Sequence, residues 1–229
     1  MLRKYQSGQR QAMGDDSFFI VIEGMDGAGK TVNAKLLHTV LKQTHRDEVL
    51  LTNEPEATSL VGREIREALA RQTQFSPTAL ALAFALNRTD HLERIIEPFL
   101  MGEQRIVVCD RYLLSSLVYQ SVDCISMEDV YCMNQWSRQP DLTLHLNIRP
   151  YDAYARLRKR EGKRDLFENN LAERAEKYQA AIALLRGKGE TIVEVDANRS
   201  IELVFGDVLA ALKEHGPNWL RIQPPLLLK

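Results

Sequence analysis

A glycine-rich segment, GMDGAGKT at residues 24–31, constrains the fold more than any other part of the sequence. It matches the pattern GxxxxGK[ST], in which the backbone N–H groups of a loop and the N-terminus of the next helix converge on phosphate oxygens. The segment follows an apolar run of strand length at residues 18–23 and precedes a helical pattern at residues 31–45. This strand–loop–helix order predicts a phosphate-binding loop. The alternative is a glycine-rich turn that only caps a helix.

Strand-like and helical patterns alternate along the rest of the chain. Further strands are predicted at residues 49–52, 105–109, 142–146 and 191–195. Helices are predicted at residues 31–45, 60–71, 76–101, 127–137, 151–160, 166–186 and 200–215. Apolar strands separated by helices favour an α/β fold, with a five-stranded parallel sheet and helices on both of its faces. We assign residues 18–215 to one domain, with a polar N-terminal tail at 1–17 and a C-terminal tail at 216–229 that lies over the body.

The composition narrows the choice of partners. The chain has 30 Lys and Arg residues against 31 Asp and Glu residues, and this net charge of −1 argues against coating nucleic acid or membranes by bulk electrostatics. No apolar window approaches the roughly 18 residues of a membrane span, and the N-terminus lacks the apolar core of a signal peptide. Cys109, Cys124 and Cys132 form no CxxC pair, which favours reduced thiols. These features predict a cytoplasmic protein that binds neither nucleic acid nor membrane.

Three residues in or near the loop are suited to hold a metal ion and phosphates. Lys30 is expected to reach the β- and γ-phosphates, and the Thr31 hydroxyl is expected to ligate Mg²⁺. Asp110 follows the strand at residues 105–109, where a carboxylate can hold Mg²⁺ directly or through water. The alternative for Asp110 is a cap of the next helix.

A cationic segment at residues 156–164 contains six Lys or Arg residues and one acid. Charge runs of this kind are usually solvated faces. The phosphate loop itself contains no arginine, however, and arginines on a mobile segment can neutralise a transferring phosphoryl group as water is expelled. We therefore predict a lid at about residues 156–168.

Several short motifs together resemble thymidylate kinases over about residues 18–214. They are FFIVIEGMDGAGKT, Asn53-Glu54-Pro55, Phe84-x-x-x-Arg88, VVCDRY, Ser115-Ser116-x-x-Tyr119-Gln120, Pro140-Asp141-Leu-Thr and the arginine-rich lid. The ordered set is far more specific than the phosphate loop alone. The resemblance implies a P-loop kinase fold, ATP-dependent phosphorylation of dTMP to dTDP with Mg²⁺, and a homodimer.

The resemblance also implies a role for individual residues. Phe84 would stack on thymine, Arg88 would bond to the base edge, and Arg111 would hold the acceptor phosphate. Asp26 would bind the 3′-hydroxyl, and Tyr119 and Gln120 would contact the sugar and base. The implied catalytic residues are Lys30, Arg111, Arg156 and Arg160, with Arg160 at the transition state. The implied ATP-binding residues are Gly24, Asp26, Gly27, Ala28, Gly29, Lys30 and Thr31. The implied acceptor-binding residues are Asp26, Glu54, Pro55, Phe84, Arg88, Arg111, Ser115, Ser116, Tyr119 and Gln120.

The spacing of Phe84 and Arg88 agrees with that interpretation. Residues i and i+4 share one helix face, so a ring and a guanidinium can meet a base together. The alternative for Phe84 is core packing among its apolar neighbours. One turn further along, His91 is either part of the acceptor pocket or a buried histidine with satisfied hydrogen bonds.

Some positions depart from the family pattern, mainly on the acceptor side. Asn53 stands where bacterial members commonly have Arg, and the loop at residues 56–61 lacks the usual paired glycines. Ser121, Leu166 and Asn147 also differ. These departures leave open a kinase for dUMP or a modified pyrimidine nucleotide. A GTPase-like switch or a non-catalytic nucleotide-binding module is the alternative from another class, although the chain has no Asn-Lys-x-Asp segment that reads guanine.

Overall fold

The computed structural model describes residues 16–122, 124–159 and 170–223. In these ranges, five parallel strands form one sheet in the order β2-β3-β1-β4-β5. The strands are β1 (Phe18–Gly24), β2 (Val49–Asn53), β3 (Ile106–Asp110), β4 (Leu142–Asn147) and β5 (Ile192–Asp196). All five predicted strands are confirmed to within two residues at each end, as is the five-stranded parallel sheet of an α/β fold.

Helices connect the strands, as parallel pairing requires. They are α1 (Lys30–His45), α2 (Leu60–Leu69), α3 (Pro77–His91), α4 (Glu97–Leu100), α5 (Leu113–Tyr119), α6 (Met127–Met133), α7 (Pro150–Arg158), α8 (Leu171–Gly187) and α9 (Ile201–His215). A π-helical turn, Leu92–Ile96, joins α3 to α4, so the long helix predicted at 76–101 is continuous but not α-helical throughout. It starts as predicted, because the Ser76 side chain accepts from Ala79 N and Pro77 follows the cap.

Two of the predicted helices end too late, and one helix was not predicted. The helix predicted at 60–71 ends at Leu69, and Arg71 has a left-handed backbone with φ 59°. The helix predicted at 127–137 ends at Met133, where Asn134 N turns back to Tyr131 O. Helix α5 was not predicted, because six of its seven residues are buried and its sequence has no amphipathic period.

The central strand β1 positions the phosphate loop. All seven of its residues are buried, and it lies between β3 and β4. The chain runs from β1 towards β2 and β3 on one side of the sheet and later returns to β4 and β5 on the other. Ligands of open α/β sheets bind at such a switch point, outside the carboxyl ends of the strands. The loop that follows β1 opens at this place.

The tails and the lid lie partly outside the described residues. Residues 1–15, 160–169 and 224–229 are not described, so their predicted roles and the domain boundaries stay predictions. The described part of the C-terminal tail packs on the body through Trp219, Leu220 and Ile222. Its Arg221 backbone meets the end of α1, where Thr44 Oγ1 donates to Arg221 O over 2.7 Å.

Cys109, Cys124 and Cys132 are free thiols. Within the described ranges, no helix has both the length and the apolar character needed to cross a membrane.

The loop before α2 is held by several hydrogen bonds although it lacks the paired glycines. Asn87 on α3 accepts from Glu56 N over 2.8 Å and donates to Glu56 O over 3.0 Å. The Glu56 carboxylate accepts from Thr58 N and Ser59 N. The loop packs directly on Gly62, where a Cβ atom would lie 1.6 Å from Glu56 O.

Gly62→Ala is therefore expected to lower the free energy of unfolding by about 1–3 kcal/mol, because the loop must shift to make room. The matched control is Gly206→Ala in α9, where nothing lies within 4 Å of a new Cβ atom. In this control the free energy of unfolding is expected to rise by roughly 0.5–1 kcal/mol. Urea denaturation of both variants measures the difference, and equal unfolding free energies would contradict the packing of the loop on Gly62.

Candidate active site

One cavity of about 530 Å³ opens at the carboxyl edge of the sheet. It borders the phosphate loop, the ends of β2 and β3, and helices α1, α2, α3 and α5. All ten predicted acceptor-binding residues line it: Asp26, Glu54, Pro55, Phe84, Arg88, Arg111, Ser115, Ser116, Tyr119 and Gln120. Thr31 and Asp110, the predicted metal ligands, line it as well. The fold therefore brings together residues that are up to 94 positions apart in the chain.

The phosphate loop needs glycine for two different reasons. Gly24, Gly27 and Gly29 all have positive φ angles, which side chains with a Cβ atom rarely adopt. At Gly24 a Cβ atom would lie 2.6 Å from Leu146 O, and at Gly27 it would lie 2.8 Å from Ala153 O. The loop is thus packed against β4 and α7, and α7 leads into the cationic segment.

Lys30 begins α1 and is buried over the loop. Its Nζ donates to Met25 O over 2.8 Å and lies 3.8 Å from Asp26 Oδ1. Burial and the nearby Arg111 guanidinium lower the pKa of Lys30 to about 8. The ammonium form still predominates at neutral pH, and a bound phosphate would stabilise it further.

Thr31 and Asp110 form the candidate metal site. Thr31 Oγ1 donates to Asp110 Oδ2 over 2.5 Å, while Asp110 Oδ1 is buried with no hydrogen-bond partner among the described residues. A hydroxyl and a free carboxylate oxygen are ligands that suit Mg²⁺. No cluster of three or more His, Cys, Asp or Glu side chains with metal-binding geometry occurs in the described chain. Mg²⁺ is commonly held by one or two protein oxygens together with phosphates and water, which suits this pair.

Arg111, Asp26 and Tyr119 form a linked group at the centre of the cavity. Arg111 Nη2 donates to Asp26 Oδ1, and Tyr119 Oη donates to Asp26 Oδ2 over 3.1 Å. The Arg111 guanidinium also lies 5.4 Å from the centre of the Tyr119 ring. Burial alone would raise the pKa of Asp26, but Arg111 and Lys30 outweigh it and lower that pKa to about 2. Asp26 is therefore ionised at every physiological pH.

Phe84 fits both interpretations made from the sequence, stacking on a base and packing in the core. It is largely buried in a small apolar cluster with Ile65 and Ala83, yet it also lines the cavity. Core packing and exposure to a ligand are thus compatible at this position.

Arg88 is only 1% exposed and belongs to a buried polar network. Its Nε donates to Glu54 Oε2 over 2.7 Å, its Nη2 donates to Ser116 Oγ over 2.9 Å, and its Nη1 donates to Asn134 Oδ1. His91 is fully buried within the same network, with its ring 2.7 Å from Thr52 Oγ1 and 3.3 Å from Glu54 Oε1. Of the two alternatives for His91, the structure shows the buried histidine with satisfied hydrogen bonds.

Cations that the sequence argument did not single out also border the site. Lys35 and Arg66 line the cavity, and Arg66 Nη2 donates to Pro55 O over 3.0 Å. The Arg174 guanidinium on α8 lies 5.1 Å from the centre of the Tyr119 ring. Arg66 could have been suspected, because it lies on the helix that follows the Asn53 position.

The predicted lid arginines are only partly described. Arg156 on α7 donates to Gly27 O over 3.4 Å and to Arg199 O over 3.2 Å, which places its guanidinium beside the phosphate loop. Arg160 lies outside the described residues.

A phosphate loop on the central strand, this strand order and a basic cavity beside the loop define a P-loop nucleotide kinase. A family model for thymidylate kinase matches residues 22–208. The chain is 36% identical over 201 residues to a probable thymidylate kinase of Pyrococcus abyssi, covering 86% of this chain and 96% of that relative. It is 34% identical over 198 residues to a thymidylate kinase of an Exiguobacterium species, covering 83% and 92% of the two chains.

A thymidylate kinase of Ruegeria pomeroyi is 32% identical over 209 residues, covering 89% of this chain and 98% of the relative. The chain belongs to the thymidylate kinase family and is therefore a phosphotransferase. None of these names points to another acceptor or to a nucleotide-dependent switch.

The Arg88 network can be tested by stability. Arg88→Met should lower the free energy of unfolding by about 3–5 kcal/mol, because it leaves the Glu54 carboxylate buried without the guanidinium that pairs with it. Arg94→Met is the matched control, since Arg94 pairs with Asp90 at 2.8 Å but is half exposed. In that variant the free energy of unfolding is expected to fall by less than about 1 kcal/mol. Similar losses in urea denaturation would show that Arg88 is not a buried structural residue.

Proposed function

We propose that this protein transfers the γ-phosphoryl group of ATP to dTMP, which yields ADP and dTDP. The main support for the proposal is that two phosphate-loop residues, Asp26 and Thr31, line the same cavity as the residues predicted to bind the acceptor. Donor and acceptor phosphates can therefore meet within reach of Lys30 and Arg111. Membership of the thymidylate kinase family supports dTMP as the acceptor.

In the proposed reaction, an oxygen of the dTMP phosphate attacks the γ-phosphorus, and the bond from that phosphorus to the β–γ bridging oxygen breaks. The protein contributes mainly position and charge, as is usual for phosphoryl transfer. When ATP binds, Lys30 Nζ would give up its hydrogen bond to Met25 O and donate to the donor phosphates instead. Mg²⁺ held beside Thr31 and Asp110 would neutralise charge on the donor phosphates.

Arg111 would bind the acceptor phosphate through a change of partner. Its guanidinium contacts Asp26, and a phosphate dianion would compete with that carboxylate for the same donors. Asp26 would then be available for the 3′-hydroxyl of the sugar, with Tyr119 next to it. Arg111 would thus be paired with an anion both before and after the acceptor binds.

The base would lie between Phe84, Arg88 and Gln120. Phe84 offers a ring face, and Arg88 offers a guanidinium held in place by Glu54 and Ser116. Gln120 Oε1 is buried with no hydrogen-bond partner in the described chain, although its residue lines the cavity. A pyrimidine N–H would satisfy this oxygen, which favours a base with both a donor and a carbonyl acceptor on one edge.

The cationic segment would act on the transferring phosphoryl group. The contact of Arg156 with Gly27 O supports this role. We propose Arg160 as the second contributor because it lies four residues further along the same segment. Both side chains would neutralise charge that develops on the equatorial oxygens.

A homodimer and a cytoplasmic location complete the proposal. Leu82 and Leu86 are 51% and 56% exposed on α3, on a different face from Phe84 and Arg88. Leu60 at the start of α2 is 69% exposed. Apolar side chains spaced i, i+4 on an exposed helix face suit a contact with a second copy. The free thiols fit the reducing cytoplasm.

Lys30→Ala should lower kcat by well over tenfold and raise the KM for ATP by a smaller factor, because Lys30 would contact the phosphoryl group more closely in the transition state than in bound ATP. Lys42→Ala, an exposed lysine in the last turn of the same helix, is the control and should behave like wild type. The readout is ADP release with dTMP, dUMP, dCMP and dGMP. Near-normal turnover of Lys30→Ala, or a higher kcat/KM for another acceptor than for dTMP, would refute the proposed function.

The dimer proposal predicts that Leu82→Glu combined with Leu86→Glu produces a monomer, because four buried carboxylates would then meet in a symmetric contact. Leu203→Glu on α9 is the control, since Leu203 is 57% exposed on another helix. Analytical ultracentrifugation measures the mass of each variant. A wild-type monomer, or a double variant that remains a dimer, would exclude this contact.

A further inference from the structure

We propose that Glu23 and Ser115 are positioning residues that hold Arg111 in the orientation needed for the acceptor phosphate. The inference rests on the proposed role of Arg111 and assigns two further residues to that function. Glu23 lines no part of the cavity, and it would act only through other residues. Ser115 would thus support the acceptor site instead of binding the nucleotide itself.

Glu23 is a fully buried carboxylate near the end of β1. Its Oε1 accepts from Tyr112 N over 2.7 Å and from Ser115 N over 2.9 Å. Its Oε2 accepts from Ser115 Oγ over 2.6 Å. These two backbone donors lie at the start of α5, a helix whose own N-cap residue, Tyr112, supplies no side-chain cap. A carboxylate on β1 therefore caps a helix that follows β3.

Arg111 needs this support because its backbone is strained. It has φ 70°, a left-handed conformation that residues with a Cβ atom rarely adopt. Such conformations persist where the surroundings determine them from several sides. Here Arg111 N donates to Ile22 O over 3.0 Å, and the next amide, Tyr112 N, donates to Glu23. Two successive residues of β1 thus hold the two peptide groups that flank Arg111.

Ser115 links Glu23 to the Arg111 side chain. A serine hydroxyl has one proton and two lone pairs. The proton points to Glu23 Oε2, which leaves a lone pair for Arg111 Nη1 at 3.1 Å. When the acceptor phosphate replaces Asp26 on Nη2, this bond on Nη1 would still fix the plane of the guanidinium.

Burial raises the pKa of Glu23, whereas its hydrogen bonds from Ser115 and the nearby Arg111 charge favour the ionised form. The groups that Glu23 positions thus oppose the effect of burial on its pKa. A cap without a functional role would not require the side-chain link through Ser115 to Arg111.

The test is the affinity for dTMP, measured by calorimetry, of Ser115→Ala in two backgrounds. Alone, this variant removes the link but leaves the backbone caps, and it should weaken dTMP binding by about five- to tenfold while the KM for ATP is unchanged. In an Arg111→Ala background it should cause no further loss, because its effect passes through Arg111. Ser121→Ala, a buried serine at the other end of α5 that donates to Leu117 O, is the control and should bind dTMP like wild type.

Glu23→Gln provides a second variant of similar size. Its amide oxygen can still accept from the backbone, but its amide nitrogen would donate to Ser115 Oγ and compete with Arg111. It should also weaken dTMP binding and leave the KM for ATP unchanged. If this variant does not fold, Ser115→Ala alone decides.

Three results would overturn the inference. Ser115→Ala could leave dTMP binding unchanged, or it could have equal effects with and without Arg111. If Arg111→Ala itself binds dTMP like wild type, the proposed role of Arg111 fails and the inference fails with it. The first two results would refute the positioning role while leaving the role of Arg111 intact.

Discussion

The parallel ladder between β1 and β3 determines the geometry of the rest of the site. It places Ile22 opposite Asp110, so the residue after β3 lies beside the phosphate loop that follows β1. From this single register, Thr31 reaches Asp110 and Arg111 reaches Asp26. A one-residue shift of this register would turn every side chain of β1, including the buried Glu23, to the opposite face of the sheet and would separate these pairs.

The second constraint on the site is charge pairing, because its buried carboxylates lie close to cationic side chains. Asp26 lies with Lys30 and Arg111, and Glu54 lies with Arg88. Isolated buried charges are costly, so a cavity meant for phosphates needs partners that a phosphate can replace. The partly exposed Asp26 pair suits this exchange, whereas the fully buried Glu54 pair suits a fixed wall. The Asp26 pair thus serves binding, and the Glu54 pair supports the wall of the cavity.

Local sequence patterns predicted those features of the fold that short-range interactions determine. The strand–loop–helix order, the start of α3 at Ser76 and Pro77, and the shared face of Phe84 and Arg88 all follow from short-range rules. The partners of Arg88 did not, because Glu54 and Asn134 are 34 and 46 residues away. Glu23 looked like the last residue of a buried strand, and only its hydrogen bonds show that it faces α5. Helix α5 itself has too few exposed residues to show a period.

The departures from the family pattern are better understood from the structure than from the sequence. Asn53 removes an expected cation, yet Arg66 and Lys35 line the same cavity. The loop without paired glycines is held by Asn87 and Glu56, so it keeps Pro55 O as the acceptor for Arg66. A phosphate responds to the sum of nearby charges as well as to any single donor. Positive charge at this wall is therefore retained with different residues, and the departures are compatible with dTMP as the acceptor.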